Sequence, residues 1–236
     1  MRRLLLYLFL MSQFLGTGLA QQQAVAPAKA SAVTAQTPSA ESIWADLMDG
    51  NQRFVSGKTK AVDVVTLRNT LVKEQRPKVV VVACSDSRVS PEIVFDKNLG
   101  DIFVVESAGN VVGPIGVGSI EYAVEHLGSS VLVVLGHQGC GAVAAACSGE
   151  KMPSTNLQAI VDKILPAVTR AKMHAKADDV VEAAILENIH QSAEDILAGS
   201  EVLQHFLHDG KLTVFEAIYE LGSGQVVKLR ALTGDH

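Results

Sequence analysis

The chain has 236 residues and a formal net charge of −5, with 20 Lys and Arg against 25 Asp and Glu. Hydrophobic residues make up 48% of it, which is enough to build a sizeable buried core in one domain. The sequence has no basic patch and no helix rich in Lys and Arg, so it disfavours nucleic acids and anionic membrane surfaces as partners.

The N-terminal 20 residues have the three parts of an export signal. Arg2 and Arg3 give a positive start, residues 4–10 are apolar, and Gly18-Leu19-Ala20 forms a small-x-small cleavage site. The apolar part is short and interrupted, whereas a membrane-spanning helix needs about 20 predominantly apolar residues. We therefore expect cleavage after residue 20, a periplasmic location and no membrane contact afterwards. Cleavage removes two arginines and no acids, which leaves 18 basic and 25 acidic residues and a net charge of −7.

The next segment, residues 21–40, is rich in Ala, Gln, Ser, Thr and Pro and has no apolar period. This composition is typical of a disordered linker. A single globular domain is therefore predicted over residues 41–236, and the chain has no evident internal repeat.

Two helices are predicted at the start of the globular part, over 42–55 and 65–74. Apolar residues recur at helical spacing in the first, and the second ends ahead of Pro77. Two continuous apolar runs, 78–83 and 131–135, lie further along the chain. Runs of this length, bounded by polar turn residues, are typical of strands buried on both faces of a parallel sheet.

The remaining elements alternate at first between helix and strand. In chain order they are helix 91–95, strand 101–105, helix 114–127, helix 141–147, helical segments 157–174 and 179–206, and strands 211–219 and 225–232. The last two strands are separated by Gly222-Ser223-Gly224, which is typical of a hairpin turn. The order predicts an α/β fold, with a mainly parallel β-sheet, flanking helices and an antiparallel edge strand.

Both apolar runs are followed by residues that can bind a metal ion or take part in catalysis. Cys84, Asp86 and Arg88 follow the first run, and His137 and Cys140 follow the second. In open α/β sheets the ligand crevice lies outside the carboxyl ends of the strands. Thiolate and imidazole are ligands that Zn²⁺ prefers, and three protein ligands with one open position are typical of a catalytic site. The sequence thus predicts a Cys₂His zinc site made by Cys84, His137 and Cys140.

Several roles remain open for the residues around this site. Asp86 and Arg88 could form a bidentate ion pair that orients a metal-bound water, or an ion pair with a structural role only. Asp86 could also bind the metal as a fourth ligand and close the site. A disulfide between Cys84 and Cys140 is a further alternative in an exported protein, and it would abolish the metal site.

The third cysteine and three of the histidines are weaker candidates. Cys147 is interpreted as a buried small hydrophobe rather than a ligand. His205 and His208 lie at i,i+3 spacing, but we interpret them, like His126, as residues near a helix C-terminus, where a cation is favourable.

Cys84-x-Asp86-x-Arg88 together with His137-x-x-Cys140 resembles the signature of the β-class carbonic anhydrases. The resemblance covers nearly the whole predicted domain. Further segments similar to the family are 50–54, 108–110, 119–123 and 136–143.

The resemblance implies one Zn²⁺ per chain, bound by Cys84, His137 and Cys140, with hydroxide or Asp86 in the fourth position. It implies that Arg88 holds Asp86 off the metal in the active form. Zinc-bound hydroxide would then attack CO2 to give bicarbonate and a proton. The family's active site lies at a subunit interface, so a homodimer or homotetramer is expected.

The chain departs from the family pattern at two places. Glu106-Ser107 stands where family members commonly carry Arg-Asn or Arg-Val. Many members also carry a Gln shortly before the second strand, where this chain has Asn98. By resemblance, Asn98 and Gly141 are candidate substrate-binding residues.

Two other functions remain as alternatives. The first is a hydrolase of a CO2-like molecule such as carbonyl sulfide or carbon disulfide. The second is a zinc-binding structural or sensor protein without turnover. The Asp86–Arg88 pair argues against the second, because a structural zinc site is normally closed by four protein ligands.

Overall fold

A computed structural model describes residues 38–234 of the chain. The predicted signal segment, 1–20, lies outside the described residues, as does the predicted linker up to residue 37. The strands of this part are β1 (Val79–Cys84), β2 (Ile102–Ser107), β3 (Val131–His137), β4 (Thr213–Tyr219) and β5 (Val226–Leu232).

Helices precede, separate and follow these strands along the chain, and they pack on both faces of the sheet. They are α1 (Ala40–Val55), α2 (Val64–Thr70), α3 (Pro91–Val94), α4 (Pro114–Glu121), α5 (Gly141–Ser148), α6 (Thr155–His174), α7 (Val180–Ala198) and α8 (Glu201–His208). α4 continues directly into a short π-helical turn, Tyr122–His126. None of the helices between residues 38 and 234 is long and apolar enough to cross a membrane.

The strands form one sheet in the order β2-β1-β3-β4-β5. The pairs β1–β2, β1–β3 and β3–β4 are parallel, and β5 runs antiparallel to β4 at the edge. Every residue of β1 and β3 is buried, because helices cover both faces of the sheet. The predicted α/β fold with an antiparallel edge strand is confirmed.

Each face of the sheet has its own apolar layer. On one face α1 packs against β4, with the rings of Trp44 and Phe215 5.0 Å apart between centroids. On the other face α5, α6 and α7 contribute to the larger layer, which includes Val143, Ile164 and Ile189. Since β1 and β3 pair in register from Val79 opposite Val131 onward, their carboxyl ends meet at the same edge.

Two helices differ from the prediction. The second helix ends at Thr70 rather than at residue 74, and none of its residues is buried, so no packing extends it. The predicted helix 179–206 is two helices, α7 and α8, that are interrupted at Gly199 and Ser200. The Ser200 side chain accepts a hydrogen bond from the Leu203 N–H at 3.1 Å and thereby caps a new helix.

Helix α1 approaches the end of α3 closely at Gly50. A Cβ atom at this position would lie 1.8 Å from the Phe95 carbonyl oxygen, which is backbone and cannot rotate away. We expect Gly50→Ala to destabilise the fold by about 1–3 kcal/mol, the usual cost of overpacking. Urea unfolding measures this loss.

The matched control for Gly50→Ala is Gly118→Ala on α4. A Cβ atom there has no neighbour within 4 Å, and the backbone is already helical. Since alanine favours helix over glycine, we expect Gly118→Ala to be neutral or stabilising. Equal unfolding midpoints for the two variants would contradict the close approach of α1 to Phe95.

A charged network lies on the α7 side of β4. Glu216 is fully buried, and its carboxylate accepts hydrogen bonds from Arg230 of β5, the shorter at 2.7 Å, and contacts Nδ1 of His190 on α7. Burial alone would raise the pKa of Glu216, but the hydrogen bonds from His190 and Arg230 outweigh burial and hold the pKa below its ordinary value. Glu216 is therefore ionised when folded, and its charge is matched by its partners.

This network makes the stability of the fold depend on pH. Because the Glu216 pKa is lowered by folding, its contribution is present above the unfolded pKa of about 4.3 and is lost as pH falls through the folded value. We expect Glu216→Gln to lose about 1–3 kcal/mol at pH 7. The difference from the unmodified chain should shrink on acidification. Urea midpoints at neutral and acid pH test this, and a gap that stays constant would contradict it.

Candidate metal centre

The carboxyl ends of β1 and β3 bring the three predicted ligands together. The ligand atoms of Cys84, His137 and Cys140 all lie within 4.8 Å of one another, and the three residues are buried. Cys84 is the last residue of β1, His137 is the last of β3, and Cys140 caps the N-terminus of α5. One tight turn after β3 therefore supplies two ligands, and the neighbouring strand supplies the third.

The orientation of His137 leaves one ring nitrogen free for a ligand. Its Nδ1 lies 2.9 Å from the Gln138 carbonyl oxygen, and because a carbonyl only accepts, Nδ1 must carry the proton. Its Nε2 is buried and has no hydrogen-bond partner among the described residues. A buried nitrogen with an unused lone pair next to two cysteines fits a bound metal ion.

The two cysteines are not joined. Their sulfur atoms lie 4.0 Å apart and both are free, whereas a disulfide requires about 2.05 Å. Two thiolates on a tetrahedral zinc ion, with Zn–S of about 2.3 Å, are separated by about 3.8 Å. The disulfide alternative is thus not the state in this structure, and the sulfur separation suits zinc.

The two sulfurs have different proton affinities. The pKa of Cys84 is lowered to about 4, first by the hydrogen bond from Cys140 and also by the Gly109 N–H, against the opposite effect of burial. The hydrogen bond with Cys84, together with burial, raises the pKa of Cys140. A divalent cation bound to both sulfurs would favour the thiolate form of each.

Asp86 and Arg88 lie at the edge of this cluster as a bidentate ion pair. Arg88 donates from Nε to Oδ1 at 2.8 Å and from a terminal guanidinium nitrogen to Oδ2 at 2.7 Å. These hydrogen bonds hold the pKa of Asp86 far below its usual range, so the carboxylate is ionised. Its Oδ2 lies 3.9 Å from Nε2 of His137. In this structure Asp86 thus faces the ligands but is paired with Arg88.

The two candidate substrate-binding residues lie at opposite ends of the sheet. Gly141 follows Cys140 directly, is exposed, and would have no neighbour within 4 Å of an added Cβ. Asn98 precedes β2, and its N–H donates to Asp101 at 2.8 Å. This turn leads into the amino end of β2, whereas the cluster lies at the carboxyl ends of the strands. The structure therefore does not bring Asn98 to the cluster of its own chain.

Other residues singled out in the sequence lie away from the cluster. Cys147 is only half-buried rather than fully buried, and burial raises the pKa of its thiol. His205 and His208 are exposed in the last turn of α8 beside Asp209, as expected for residues at a helix C-terminus. His126 is similarly exposed.

The departure at Glu106 lies close to the site. Glu106 is near the carboxyl end of β2, in register with Ala83 of β1. Burial, and then the nearby charges of Glu92 and Cys84, raise the pKa of Glu106. An acidic side chain thus stands where the family pattern commonly has an arginine.

Sequence reasoning missed two residues behind the cluster. The Gly109 N–H donates to the Cys84 sulfur at 3.2 Å, and Asn188 of α7 donates to the Gly109 carbonyl at 2.8 Å. Asn188 lies among Ala184, Ile185 and Ile189 on the buried face of α7. A polar residue at a buried position of an apolar helical face is the signal that could have singled it out.

The sequence is similar to a known family and to characterised proteins over most of its length. A family model described as "Carbonic anhydrase" matches residues 79–226. "Carbonic anhydrase 2" of Mycobacterium tuberculosis is 34% identical over 190 residues, which cover 78% of this chain and 90% of that protein. "Carbonic anhydrase" of Mycolicibacterium smegmatis is 37% identical over 197 residues, covering 81% and 94%.

Solved structures agree with the sequence comparisons. The Coccomyxa β-carbonic anhydrase, solved in complex with acetazolamide, superposes with a TM-score of 0.67 at 26% identity and covers 80% of this chain and 87% of that one. The β-carbonic anhydrase CcaA superposes with a TM-score of 0.63 at 25% identity, covering 82% and 92%.

Proposed function

The chain belongs to the β-carbonic anhydrase family, and we propose that it catalyses the reversible hydration of CO2 to bicarbonate and a proton at one zinc ion bound by Cys84, His137 and Cys140. The observation that carries the assignment to these residues is their convergence within 4.8 Å, with a buried His137 nitrogen that has no partner in the described part of the chain. The donor set of two thiolates and one imidazole fits zinc.

Each residue of the site has a separate role in the proposed reaction. A zinc ion held here supplies a Lewis acid that makes water nucleophilic near neutral pH. The ionised Asp86 faces the ligands, where it would accept a hydrogen bond from the attacking water and orient its lone pair toward CO2. Arg88 holds both carboxylate oxygens of Asp86 and keeps them out of the ligand cluster. Gly141 leaves open space beside Cys140 for the substrate.

Stopped-flow CO2 hydration on the purified full chain tests this proposal, with zinc quantified in the same sample. We expect one zinc per chain and rapid hydration. Removal of zinc with a chelator should abolish the activity, and added zinc should restore it. Full zinc occupancy without hydration would contradict the proposed reaction, and an active chain without zinc would contradict the metal assignment.

We also propose that the protein is exported to the periplasm. The support is the charge, apolar length and cleavage pattern of residues 1–20. In a bacterial host we expect the chain in the periplasmic fraction, with a new N-terminus at Gln21 by mass spectrometry. An intact N-terminus on a chain confined to the cytoplasm would exclude export.

A homo-oligomer is proposed on the exposed apolar residues of the second helix and its surroundings. α2 has no buried residue, and Val64, Val65 and Val72 are 55%, 60% and 78% exposed. Apolar side chains grouped in this way favour burial against another subunit. We expect a dimer or tetramer by light scattering, and a monomer at micromolar concentration would contradict this.

A further inference from the structure

The zinc ligand Cys84 is contacted from behind by a turn with unusual backbone angles. The turn consists of Ala108, Gly109 and Asn110, and the Gly109 N–H donates to the Cys84 sulfur at 3.2 Å. Gly109 has φ of +74° and Asn110 has φ of +48°, both in the left-handed region. Asparagine adopts this region more readily than other non-glycine residues, and here its side chain is also held by a hydrogen bond to α7. The direction of the Gly109 N–H therefore depends on the contacts that fix the conformation of this turn.

Helix α7 holds the turn through two side chains one helical turn apart. Nδ2 of Asn188 donates to the Gly109 carbonyl at 2.8 Å, and the Ser192 hydroxyl accepts from Nδ2 of Asn110 at 3.3 Å. All four groups are buried or half-buried away from water. The turn is thus fixed from α7, which is distant in sequence from both β1 and β3.

The hydrogen bond from Asn188 to Gly109 leaves the other polar atom of the Asn188 amide unsatisfied. The side chain is 1% exposed, and because a carbonyl only accepts, Nδ2 must face Gly109. This leaves Oδ1 buried without a hydrogen-bond partner among residues 38–234. An apolar residue would avoid this unsatisfied acceptor, so packing alone gives no reason for an asparagine here.

The surrounding packing leaves α7 little room to shift. Gly136 of β3 faces Ile189, the neighbour of Asn188, and a Cβ atom at Gly136 would lie 2.4 Å from that side chain. On the other side of the turn, a Cβ atom at Gly109 would lie 2.8 Å from Ile164. Asn188 is therefore presented to the turn by a helix in close contact with the strand that carries His137.

We propose that Asn188 is a positioning residue for the metal centre, which holds the Gly109 carbonyl and thereby keeps the Gly109 N–H aimed at the Cys84 sulfur. This role rests on the proposed function, since it presupposes a zinc ion at Cys84. A hydrogen bond to a thiolate ligand stabilises its charge and fixes its direction. Asn188 is not one of the three ligands, and its effect on Cys84 passes through Gly109.

The test compares zinc affinity, measured by chelator competition, in the full chain and in Asn188→Leu. Loss of an outer hydrogen bond to a ligand is expected to weaken zinc binding by about 10- to 100-fold. In the cobalt-substituted protein, the thiolate-to-cobalt absorption should shift as the Cys84 sulfur loses its donor. Asn188→Gln, which keeps an amide donor, should recover part of both properties.

Asn51→Leu is the matched control. Asn51 is also buried, and its Nδ2 donates to the Val94 and Gly224 carbonyls at 3.1 and 2.9 Å, away from the cluster. We expect Asn51→Leu to lower the urea midpoint and to leave zinc affinity and the cobalt spectrum unchanged. If Asn188→Leu behaves in the same way, the positioning role is overturned and Asn188 is only structural.

A second variant decides the question if Asn188→Leu does not fold. Asn188→Ala removes the amide donor without adding volume, so the same loss of zinc affinity is expected. Normal zinc affinity in Asn188→Ala would overturn the positioning role of Asn188 and leave the proposed function standing. An unmodified chain that binds no zinc would overturn the proposed function and this inference with it.

Discussion

Replacing Cys84 by serine is expected to abolish zinc binding and reduce CO2 hydration to the uncatalysed rate. Cys84 supplies the thiolate with the lower pKa of the pair, at about 4, whereas a serine hydroxyl stays protonated and is a poor zinc ligand. Zinc content by metal analysis and hydration by stopped flow measure the two losses. A Cys84→Ser protein that folds and hydrates CO2 at the normal rate would refute the metal assignment.

The matched control for this variant is Cys147→Ser. Cys147 is the third cysteine of the chain, is half-buried, and lies outside the ligand cluster. We expect Cys147→Ser to retain full zinc content and activity. A similar loss in both cysteine variants would point to a general effect on folding and not to loss of a ligand.

The Arg88→Ala variant is expected to keep its zinc but lose about 100-fold in activity, the size of effect that follows from misplacing a reacting group by about 1 Å. Arg88 makes two side-chain hydrogen bonds to Asp86, at 2.8 and 2.7 Å. Without them the Asp86 carboxylate, whose Oδ2 is 3.9 Å from Nε2 of His137, is free to move onto the metal. Stopped-flow rates with parallel zinc analysis separate this blocked state from metal loss.

Two further variants make the Arg88 experiment specific. Arg88→Lys keeps the charge but not the planar fork, so we expect only partial recovery. Arg76→Ala breaks another exposed Arg–carboxylate pair, with Glu74 at 2.8 Å, and should leave the activity unchanged. Full activity in Arg88→Ala would exclude a role for Arg88 in holding Asp86.

Much of the fold could be predicted because its central strands are buried on both faces. That environment requires continuous apolar runs, and the runs at 78–83 and 131–135 correspond to β1 and β3. The break between α7 and α8 was missed because Gly199 and Ser200 are two small residues inside an otherwise helical pattern. The cap made by Ser200 depends on backbone geometry that composition does not reveal.

The ligand cluster was also predictable, since parallel strands must end at a common edge and Cys84, His137 and Cys140 follow two such strands. The hydrogen bonds that hold the turn behind the cluster could not be predicted from the sequence. Asn188 is 79 residues from Gly109 along the chain, and nothing local marks the pair as neighbours. Asn98 was assigned by analogy of position, and the amino end of β2 places it away from the cluster of its own chain.

The cysteine ligands lie 56 residues apart in the chain and meet at the carboxyl ends of two neighbouring strands. A metal ion bound by both would therefore act as a removable crosslink that closes a long loop. Because a site made by two separate strands exists only in the folded chain, an ion present at about 1,000 times its Kd would stabilise the folded state by about 4 kcal/mol. Zinc supply would then govern resistance to proteolysis as well as turnover, so that a metal-starved cell would lose the protein itself and not only its activity.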